Sequence, residues 1–422
     1  MNNEPLRYTV THPSTGTASN TRFLKDAFLP VGYPESVSPD YTTYQIFDSL
    51  QAFCSNITGN FKQAGVGDAT ASVTAATITW LLQDGTGMIG RILYAWRVSF
   101  FLDADCKQWR FYADILNDSA SFIGVLTPMI LPKAWFTFSA CVASLLKALC
   151  GVTGGSTKAA LSQHFAIRDN MADLHAKEGS QETVVGLVGM VLGSAIVHLV
   201  PDESAFATWS CFVTLHLVCN YCGISAVVMP SLNTQRGFLV IREYLESEDS
   251  AVMQPETVAR METIFWSQNY FNGSLWNKKQ CNINAQIQMG VSLDRVIDAW
   301  SGGVNEEGSD LESIVDLFHT TSHHFLSLEQ DRILVAIHRD ATPVDVFLAY
   351  FHALILQKTL LDISHDNLKD AAGRRNIVKE SVLEYRKRRY EFLAKLRSAG
   401  WEVEGVHQSR IYLHDAYRFH FE

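Results

Sequence analysis

The chain has 422 residues, of which 47% are hydrophobic and only 18% are charged, and its mean hydropathy is +0.03. The charged share lies below the ~25% of typical soluble domains, which indicates an apolar or membrane-embedded half joined to a soluble half. The net charge of −10 argues against nucleic acid as a partner, because nucleic-acid-binding surfaces are basic.

Residues 1–27 are predicted to form a polar N-terminal arm, with one short strand at Arg7–Thr11. No apolar core of a secretory signal peptide occurs in this arm, so the sequence predicts an intracellular protein. The eight cysteines are scattered, and several lie in apolar runs, which favours reduced thiols that pack as small hydrophobic residues.

From Phe28 onward the pattern is helical and apolar, and a helix is predicted near Tyr41–Asn56. The apolar segments that follow are interrupted at Asp84–Gly87, at Pro128 and at Gly151–Thr157. We expect helix breaks at these interruptions, as in re-entrant or buried helices. A broken helix at Asp84–Gly87 would expose backbone amides that suit an anion, and the alternative is a tight turn between packed helices.

Two apolar runs, Thr183–Val200 and Ala205–Met229, enclose the short acidic turn Pro201–Ser204. The first run has 18 residues without Asp, Glu, Lys or Arg, and Gly189 and Gly193 would permit close helix contact. Basic residues lie before and after the two runs, so the positive-inside rule places both ends in the cytoplasm. The pattern predicts a membrane hairpin over 183–229, and the alternative is a pair of buried helices in a soluble domain.

After residue 245 the composition becomes polar. The elements predicted there are helices at Pro255–Trp266 and Asp310–His319, a hairpin of Phe325–Leu328 and Arg332–His338, an amphipathic helix from Pro343 to about Leu360, a charged helix at Ile377–Arg397, and a closing strand pair at Gly400–Glu404 and Ser409–Leu413. The predicted fold class is therefore mainly α. It comprises a helical membrane-associated bundle over 28–245, an irregular connector over 246–320 and a small soluble α+β domain over 321–422.

Four motifs in this order resemble the root UVB-sensitive (RUS) family. They are G-Y-P-E-S-V-S-P-D-Y at 32–41, Asp84–Arg91, Lys107–Asp118 and Asn170–Thr183. The resemblance covers about Phe28–Leu245. It implies a eukaryotic, membrane-associated protein of a family tied in plants to ultraviolet-B-sensitive roots and to vitamin B6 homeostasis. It implies no particular reaction.

Two polar stripes adjoin the apolar spans, one on each of two predicted helices. Both stripes contain pairs spaced for i,i+4 ion pairs, and ionisable groups at membrane depth usually mark a ligand site or a pathway. We expect the stripes to meet each other and Asp84–Arg91 in one site for a small polar or anionic molecule. The alternative is two solvated faces or structural networks. The predicted ligand-binding residues are Asp84, Thr86, Gly87, Arg91, Lys107, Arg110, Asp114, Asn117, Asp118, Asn170, Asp173, Lys177, Glu178, Gln181 and Glu182.

No complete catalytic, cofactor or metal motif is present. Gly151–Lys158 lacks the spacing of a phosphate-binding loop, and Cys219 and Cys222 supply only half of a four-ligand zinc site. We therefore predict no cofactor and no metal, and we favour a membrane protein that binds or transports its ligand over an enzyme. The alternatives are a membrane scaffold that recruits soluble proteins through its C-terminal domain and a soluble enzyme of unknown class. The predicted partners are membrane lipid, the small ligand, and other proteins or further copies of the chain.

Overall fold

The computed structural model describes residues 18–63, 73–130, 132, 135–265, 285–302, 309–318, 323–330, 332–361, 370–403, 411 and 418–419. The strand predicted at Arg7–Thr11 lies outside these residues. The chain divides into two compact units, one built from residues up to 68 and from 161–219, the other from 69–160 and from 220 onward.

Helices make up most of the described chain up to residue 261. In chain order they are α1 (Ala18–Phe28), α2 (Tyr41–Gln63), α3 (Val73–Ala104), α4 (Cys106–Ile130), α5 (Phe136–Phe165), α6 (Met171–Leu199), α7 (Asp202–Ala226), α8 (Thr234–Glu246) and α9 (Pro255–Met261). The mainly helical fold class is confirmed. The polar motif before the hairpin and the first apolar run form one continuous helix, α6, and the turn at Pro201 leads into α7.

The helix breaks predicted at the two glycine-rich segments were wrong, whereas the interruption predicted near Pro128 is confirmed by the end of α4 at Ile130. Helix α3 continues through Asp84–Gly87, and α5 continues through Gly151–Thr157. A glycine costs only ~1 kcal/mol inside a helix, which a helix of this length tolerates. Two glycines of α3 instead allow α5 to approach closely. A Cβ atom added at Gly90 would lie 2.0 Å from Leu145 Cδ1. Helix α4 ends at Ile130, two residues after Pro128.

Helices α2 and α6 form the packed pair of the first unit, and two glycines of α6 make this contact possible. A Cβ atom added at Gly189 would lie 2.8 Å from Cβ of Asn56, and one added at Gly193 would lie 3.1 Å from Cα of Ile57. Side chains at either position would therefore push the helices apart. The predicted close contact at these glycines is confirmed, with α2 as the partner.

The C-terminal region carries a small sheet. After β1 (Gln286–Met289) come α10 (Leu293–Ser301), α11 (Ser309–Phe318), β2 (His324–Glu329), β3 (Arg332–His338), α12 (Pro343–Leu361), α13 (Ala371–Ser398) and β4 (Arg418–Phe419). Strands β2 and β3 form the predicted antiparallel hairpin, with Leu326 opposite Val335. Strand β1 pairs in parallel with the first half of β3, and β4 pairs in parallel with its end.

The predicted closing strand pair is not seen in the described residues. Glu402 forms a single parallel bridge with Ser231, near the start of α8, and of the second predicted strand only Ile411 is described. The hydrophobic core of this region also begins well before residue 321. It includes Leu232, Tyr244 and Ile287 together with the side chains of the β2–β3 hairpin.

Helix α12 has the predicted bounds but is not amphipathic, because residues 346–356 are all buried. The helix starts at a capping box, in which the Thr342 amide donates to the Asp345 carboxylate at 2.9 Å and the Asp345 amide donates to the Thr342 hydroxyl at 3.3 Å. Helix α12 lies between α13 and the sheet and contacts both. Its apolar residues therefore form the centre of the C-terminal core.

Four helices of the described chain, α5, α6, α7 and α12, are long and apolar enough to cross a membrane. Burial separates one of them from the others. Of the most apolar stretch of α12, 72% is buried by the protein itself, whereas only 11% of that stretch in α6 is buried and 22% in α5 and α7. Helix α12 is therefore a core helix. Helices α5, α6 and α7 leave apolar side chains uncovered, which is compatible with membrane association.

Candidate functional site

The stripe on α4 begins with Lys107, whose side chain is almost fully buried in the second unit. Its ammonium donates a hydrogen bond to the Val227 carbonyl at 2.8 Å and lies 3.0 Å from the Glu262 carboxylate. Arg236 donates to the other oxygen of the same carboxylate at 2.6 Å. The charge of Lys107 is therefore used in a buried ion cluster that joins α4, α8 and the chain after α9.

Burial alone would raise the pKa of Glu262, but the adjacent Arg236 and Lys107 outweigh it and lower this pKa. The pKa of Asp105, just before α4, shifts in the opposite direction. Burial raises its pKa to about 6 even though Arg236 opposes the shift. The amide of Asn233 donates to Asp105 at 2.8 Å and fixes this second carboxylate.

Further along α4 lies a second polar group, built from three of the predicted site residues. Arg110 and Asp114 form the expected i,i+4 ion pair at 3.4 Å, and the Asn220 amide of α7 donates to the other oxygen of Asp114. Asp118 lies one turn further and is only 5% exposed. Asn117 between them is partly buried. The structure therefore places two nearly buried carboxylates and one guanidinium along one line of α4.

The predicted residues of α3 are less enclosed. Asp84 and Arg91 are exposed, and the Thr86 hydroxyl donates to the Leu82 carbonyl of its own helix. Gly87 is buried because Ser144 of α5 packs against it. These residues lie on a regular helix. The backbone amides that were expected to bind an anion are therefore hydrogen-bonded within α3.

The stripe on α6 shares one face, as predicted, and this face holds the backbone of the segment before α2. The Asp173 carboxylate accepts a hydrogen bond from the Val31 amide at 2.7 Å. Lys177 donates to the Asp26 carbonyl, and Gln181 donates to the Phe28 carbonyl. These three side chains fix the path from α1 into α2.

Glu178 is the most buried of the predicted residues on α6, at 3% exposure. The Ser162 hydroxyl donates to its carboxylate at 3.1 Å, and His175 lies 3.9 Å from it. Burial, followed by the negative charge of Glu178, raises the pKa of Tyr41. Asn170 precedes the first turn of α6, and Glu182 is exposed one turn after Glu178.

The two stripes belong to different units. The α4 stripe lies in the second unit together with Asp84–Arg91, and the α6 stripe lies in the first. That all three segments share one site stays a prediction.

Several buried polar residues escaped the sequence analysis. In the first unit, His164 is bonded to Asp40 at 2.9 Å, and His216 is bonded to Gln51 at 2.7 Å. In the second, Glu262 holds both Lys107 and Arg236. The available signal was weak, since Asp48 and Gln51 are polar positions three residues apart on an otherwise buried helix face. Glu262 lies in a polar stretch with no periodic pattern.

No group of three or more histidine, cysteine or acidic side chains suited to a metal ion occurs among the described residues. Cys219 is buried, Cys222 is partly buried, and both are free thiols.

A family model described as "Vitamin B6 photo-protection and homoeostasis domain" matches residues 15–248, and one described as "Root UVB sensitive protein, C-terminal" matches residues 251–408. RUS family member 1 of Dictyostelium discoideum is 44% identical over 254 residues, which cover 58% of this chain and 48% of that protein. Protein root UVB sensitive 3 of Arabidopsis thaliana is 32% identical over 397 residues, covering 91% of this chain and 83% of the relative. Protein root UVB sensitive 5 of the same plant is 26% identical over 405 residues, covering 90% and 74%. No solved structure matches the chain.

Proposed function

The chain belongs to the root UVB sensitive family, and from that premise we propose that it is an integral membrane protein that binds a small anionic molecule of the vitamin B6 class on α4. Transport of that molecule is the more specific form of the proposal. Helices α6 and α7 form a membrane hairpin with both ends in the cytoplasm. The organism-level role is the one named in the description of the matching family model.

Support for membrane insertion comes from helices whose apolar side chains are left exposed by the rest of the protein. Along α6, Leu187 and Val191 are more than half exposed although they lie in the middle of an apolar run. Exposure of such an apolar surface to water is unfavourable, whereas in a bilayer it is the expected lipid-facing surface. Basic residues flank the hairpin, and Asp202 and Glu203 lie in the first turn of α7, where the two helices are joined, which supports the orientation.

The observation that carries the binding proposal is the line of Arg110, Asp114 and Asp118 on α4. Burying two carboxylates one helical turn apart is unfavourable, and such groups are retained where they act on a ligand. A phosphorylated pyridine presents an anionic phosphate and a basic ring nitrogen. A guanidinium suits the phosphate, and a carboxylate suits the ring nitrogen.

Equilibrium binding tests this proposal. Pyridoxine 5′-phosphate is the probe, because it has no aldehyde that would react with surface lysines. We expect saturable binding to the purified full chain in detergent, weakened about tenfold or more by Asp118→Asn, the loss equivalent to one charged hydrogen bond. The matched control Glu203→Gln, in the exposed first turn of α7, is expected to bind as the wild type does.

Melting temperatures distinguish a binding role from a structural one. If Asp118→Asn melts with the wild type but binds poorly, the carboxylate acts on the ligand. Absence of saturable binding to the wild type, or equal binding by Asp118→Asn, would refute the proposal. Uptake of the probe into liposomes that contain the protein then separates transport from static binding.

A second candidate function is a membrane scaffold that recruits soluble proteins. It is supported by α13, which exposes Leu383 and Tyr390 seven residues apart, with the Arg389 guanidinium 4.4 Å from the Tyr390 ring centre. Exposed large apolar pairs of this kind are typical of contact surfaces. The double variant Leu383→Ser/Tyr390→Ser tests it. Loss of complementation of a null mutant, with probe binding unchanged, would favour the scaffold.

A further inference from the structure

A groove of about 560 Å³ lies within the first unit, between the entry to α2, α2 itself and α6. Its walls are mostly apolar side chains, including Phe28, Ile46, Phe53, Val184 and Val188. Along α2 the groove extends from residue 41 to residue 53, a length of about 18 Å in a helix. The volume is in the range of sites that enclose small organic ligands.

One end of the groove contains a buried polar atom without a partner. Gln45 lines the groove and is only 8% exposed, and its Oε1 atom accepts no hydrogen bond from any described residue. Buried amide oxygens are nearly always hydrogen-bonded, so an unpaired one that lines a cavity calls for a donor from outside the chain. A hydroxyl group of a bound molecule supplies such a donor.

The apolar end of the groove continues onto the surface of α6. Val184 and Val188 line the groove, and Leu187 and Val191 on the adjacent faces of the same helix are exposed. If α6 spans the bilayer, as proposed above, a ligand can enter this groove from the hydrocarbon layer without crossing water. The occupant is therefore a lipid rather than a water-soluble metabolite.

We propose that this groove binds a membrane lipid that has an apolar body and a hydroxyl head group. The hydroxyl donates to Gln45 Oε1, and the body lies along Phe53 and Val188. Sterols and diacylglycerols share this chemistry. The site is separate from the polar line of α4, and it depends on the proposed function only for the route by which the lipid enters.

The test uses the purified full chain in detergent with two photoreactive probes, a sterol and a diacylglycerol. Cross-linked peptides are identified by mass spectrometry. We expect one of the probes to label residues 41–53 or 181–188, and an excess of the same unlabelled lipid to abolish the labelling. The probe that labels decides between the two lipid classes. Labelling by neither probe, or labelling that unlabelled lipid does not reduce, overturns the proposal.

Two variants define the site. Gln45→Leu keeps the size of the side chain but removes the acceptor, and we expect about a tenfold higher lipid concentration for half-maximal labelling. Val188→Trp fills the groove and is expected to abolish labelling, while Val191→Trp, on the exposed face of the same helix, leaves it intact. Equal labelling of all three variants would show nonspecific lipid contact and contradict the proposal. The competition experiment on the wild type needs no variant to fold.

Carbonate extraction of membranes distinguishes failure of the lipid-site proposal from failure of the proposed membrane insertion. If the chain resists extraction but is not labelled in the groove, only the lipid-site proposal fails. If the chain is released by carbonate but is labelled in the groove, the lipid-site proposal stands and the proposed membrane insertion fails.

Discussion

The ammonium of Lys107 lies 3.0 Å from the carboxylate of Glu262, and each side chain is only 2% exposed. This ion pair connects the two parts of the chain that separate family models match, because Lys107 lies within residues 15–248 and Glu262 within residues 251–408. Arg236 completes the cluster on the same carboxylate. The carboxylate of Glu262 therefore contacts both buried bases.

Replacing Glu262 by Gln is expected to lower the free energy of unfolding by about 3–5 kcal/mol, because it removes the charge of the carboxylate that both buried cations contact. Thermal or chemical unfolding of the purified chain measures this loss. Glu256→Gln, on the exposed side of α9, is the matched control and should change stability by less than about 0.5 kcal/mol. Equal stability of both variants would show that the cluster contributes little.

The buried pair His324 and His352 predicts loss of stability in mild acid. The two rings are hydrogen-bonded at 2.9 Å, and His352 is bonded in turn to Ser381 at 3.2 Å. Burial lowers the pKa of His324 to about 3 and the pKa of His352 well below its usual value. Both are therefore neutral in the folded chain and titrate near pH 6.5 in the unfolded chain.

Between pH 6.5 and pH 3 the unfolded state binds more protons at these two histidines, so their contribution to stability falls as the pH falls. The expected slope is about 1.4 kcal/mol per pH unit for each histidine. Melting curves from pH 7.5 to pH 5 of the wild type and of His324→Gln/His352→Gln measure it. The Asp105 carboxyl, with its pKa raised to about 6, acts in the opposite direction in both proteins. Identical slopes for the two proteins would contradict the assignment.

Substitutions at two glycines of α6 should have opposite effects. A Cβ atom at Gly193 would lie 2.2 Å from Asn60 Nδ2, whereas one at Gly179 would have no atom within 4 Å. We expect Gly193→Val to destabilise the chain by about 1–3 kcal/mol or more through overpacking against α2. Gly179→Ala should leave stability unchanged or raise it by up to ~1 kcal/mol. Melting temperatures in detergent measure both changes in stability. If Gly193→Val melts at the same temperature as the wild type, the close α2–α6 contact is disproved.

The extent of the C-terminal core predicts which fragment folds alone. Strand β1 at Gln286–Met289 pairs with β3, and Leu232 and Tyr244 belong to the same core. A fragment of residues 320–422 lacks all three and is expected to give a random-coil circular dichroism spectrum. A fragment of residues 230–422 is expected to melt cooperatively. Cooperative melting of the shorter fragment would show that α8 and β1 are dispensable.

Local patterns predicted much of this fold. The β2–β3 hairpin follows from two short, mostly apolar runs on both sides of a short polar turn, and α12 begins at Pro343 because proline suits the first turn of a helix. The partnership of β1 with β3 was not predictable in this way. It joins segments more than forty residues apart, and the short run Gln286–Met289 has no turn signal that specifies its partner.

The candidate site shows the same limit. Spacing alone identified the pair Arg110–Asp114 and the shared face of Asp173, Lys177 and Gln181. It did not identify what that face contacts, because the partners are backbone groups of residues 26–31. The breaks expected at Asp84–Gly87 failed because glycine in a long helix can serve close packing rather than a turn.

Exposure of residue 204 tests the membrane hairpin most directly, and both the proposed function and the route to the lipid groove depend on that hairpin. A full chain without its native cysteines, carrying Ser204→Cys, is placed in sealed vesicles with the cytoplasmic face outward and treated with an impermeant maleimide. Glu248→Cys, on the side predicted to be cytoplasmic, is the matched control. We predict that Glu248→Cys reacts in intact vesicles and that Ser204→Cys reacts only after detergent is added. Equal reaction of both cysteines in intact vesicles would contradict the account.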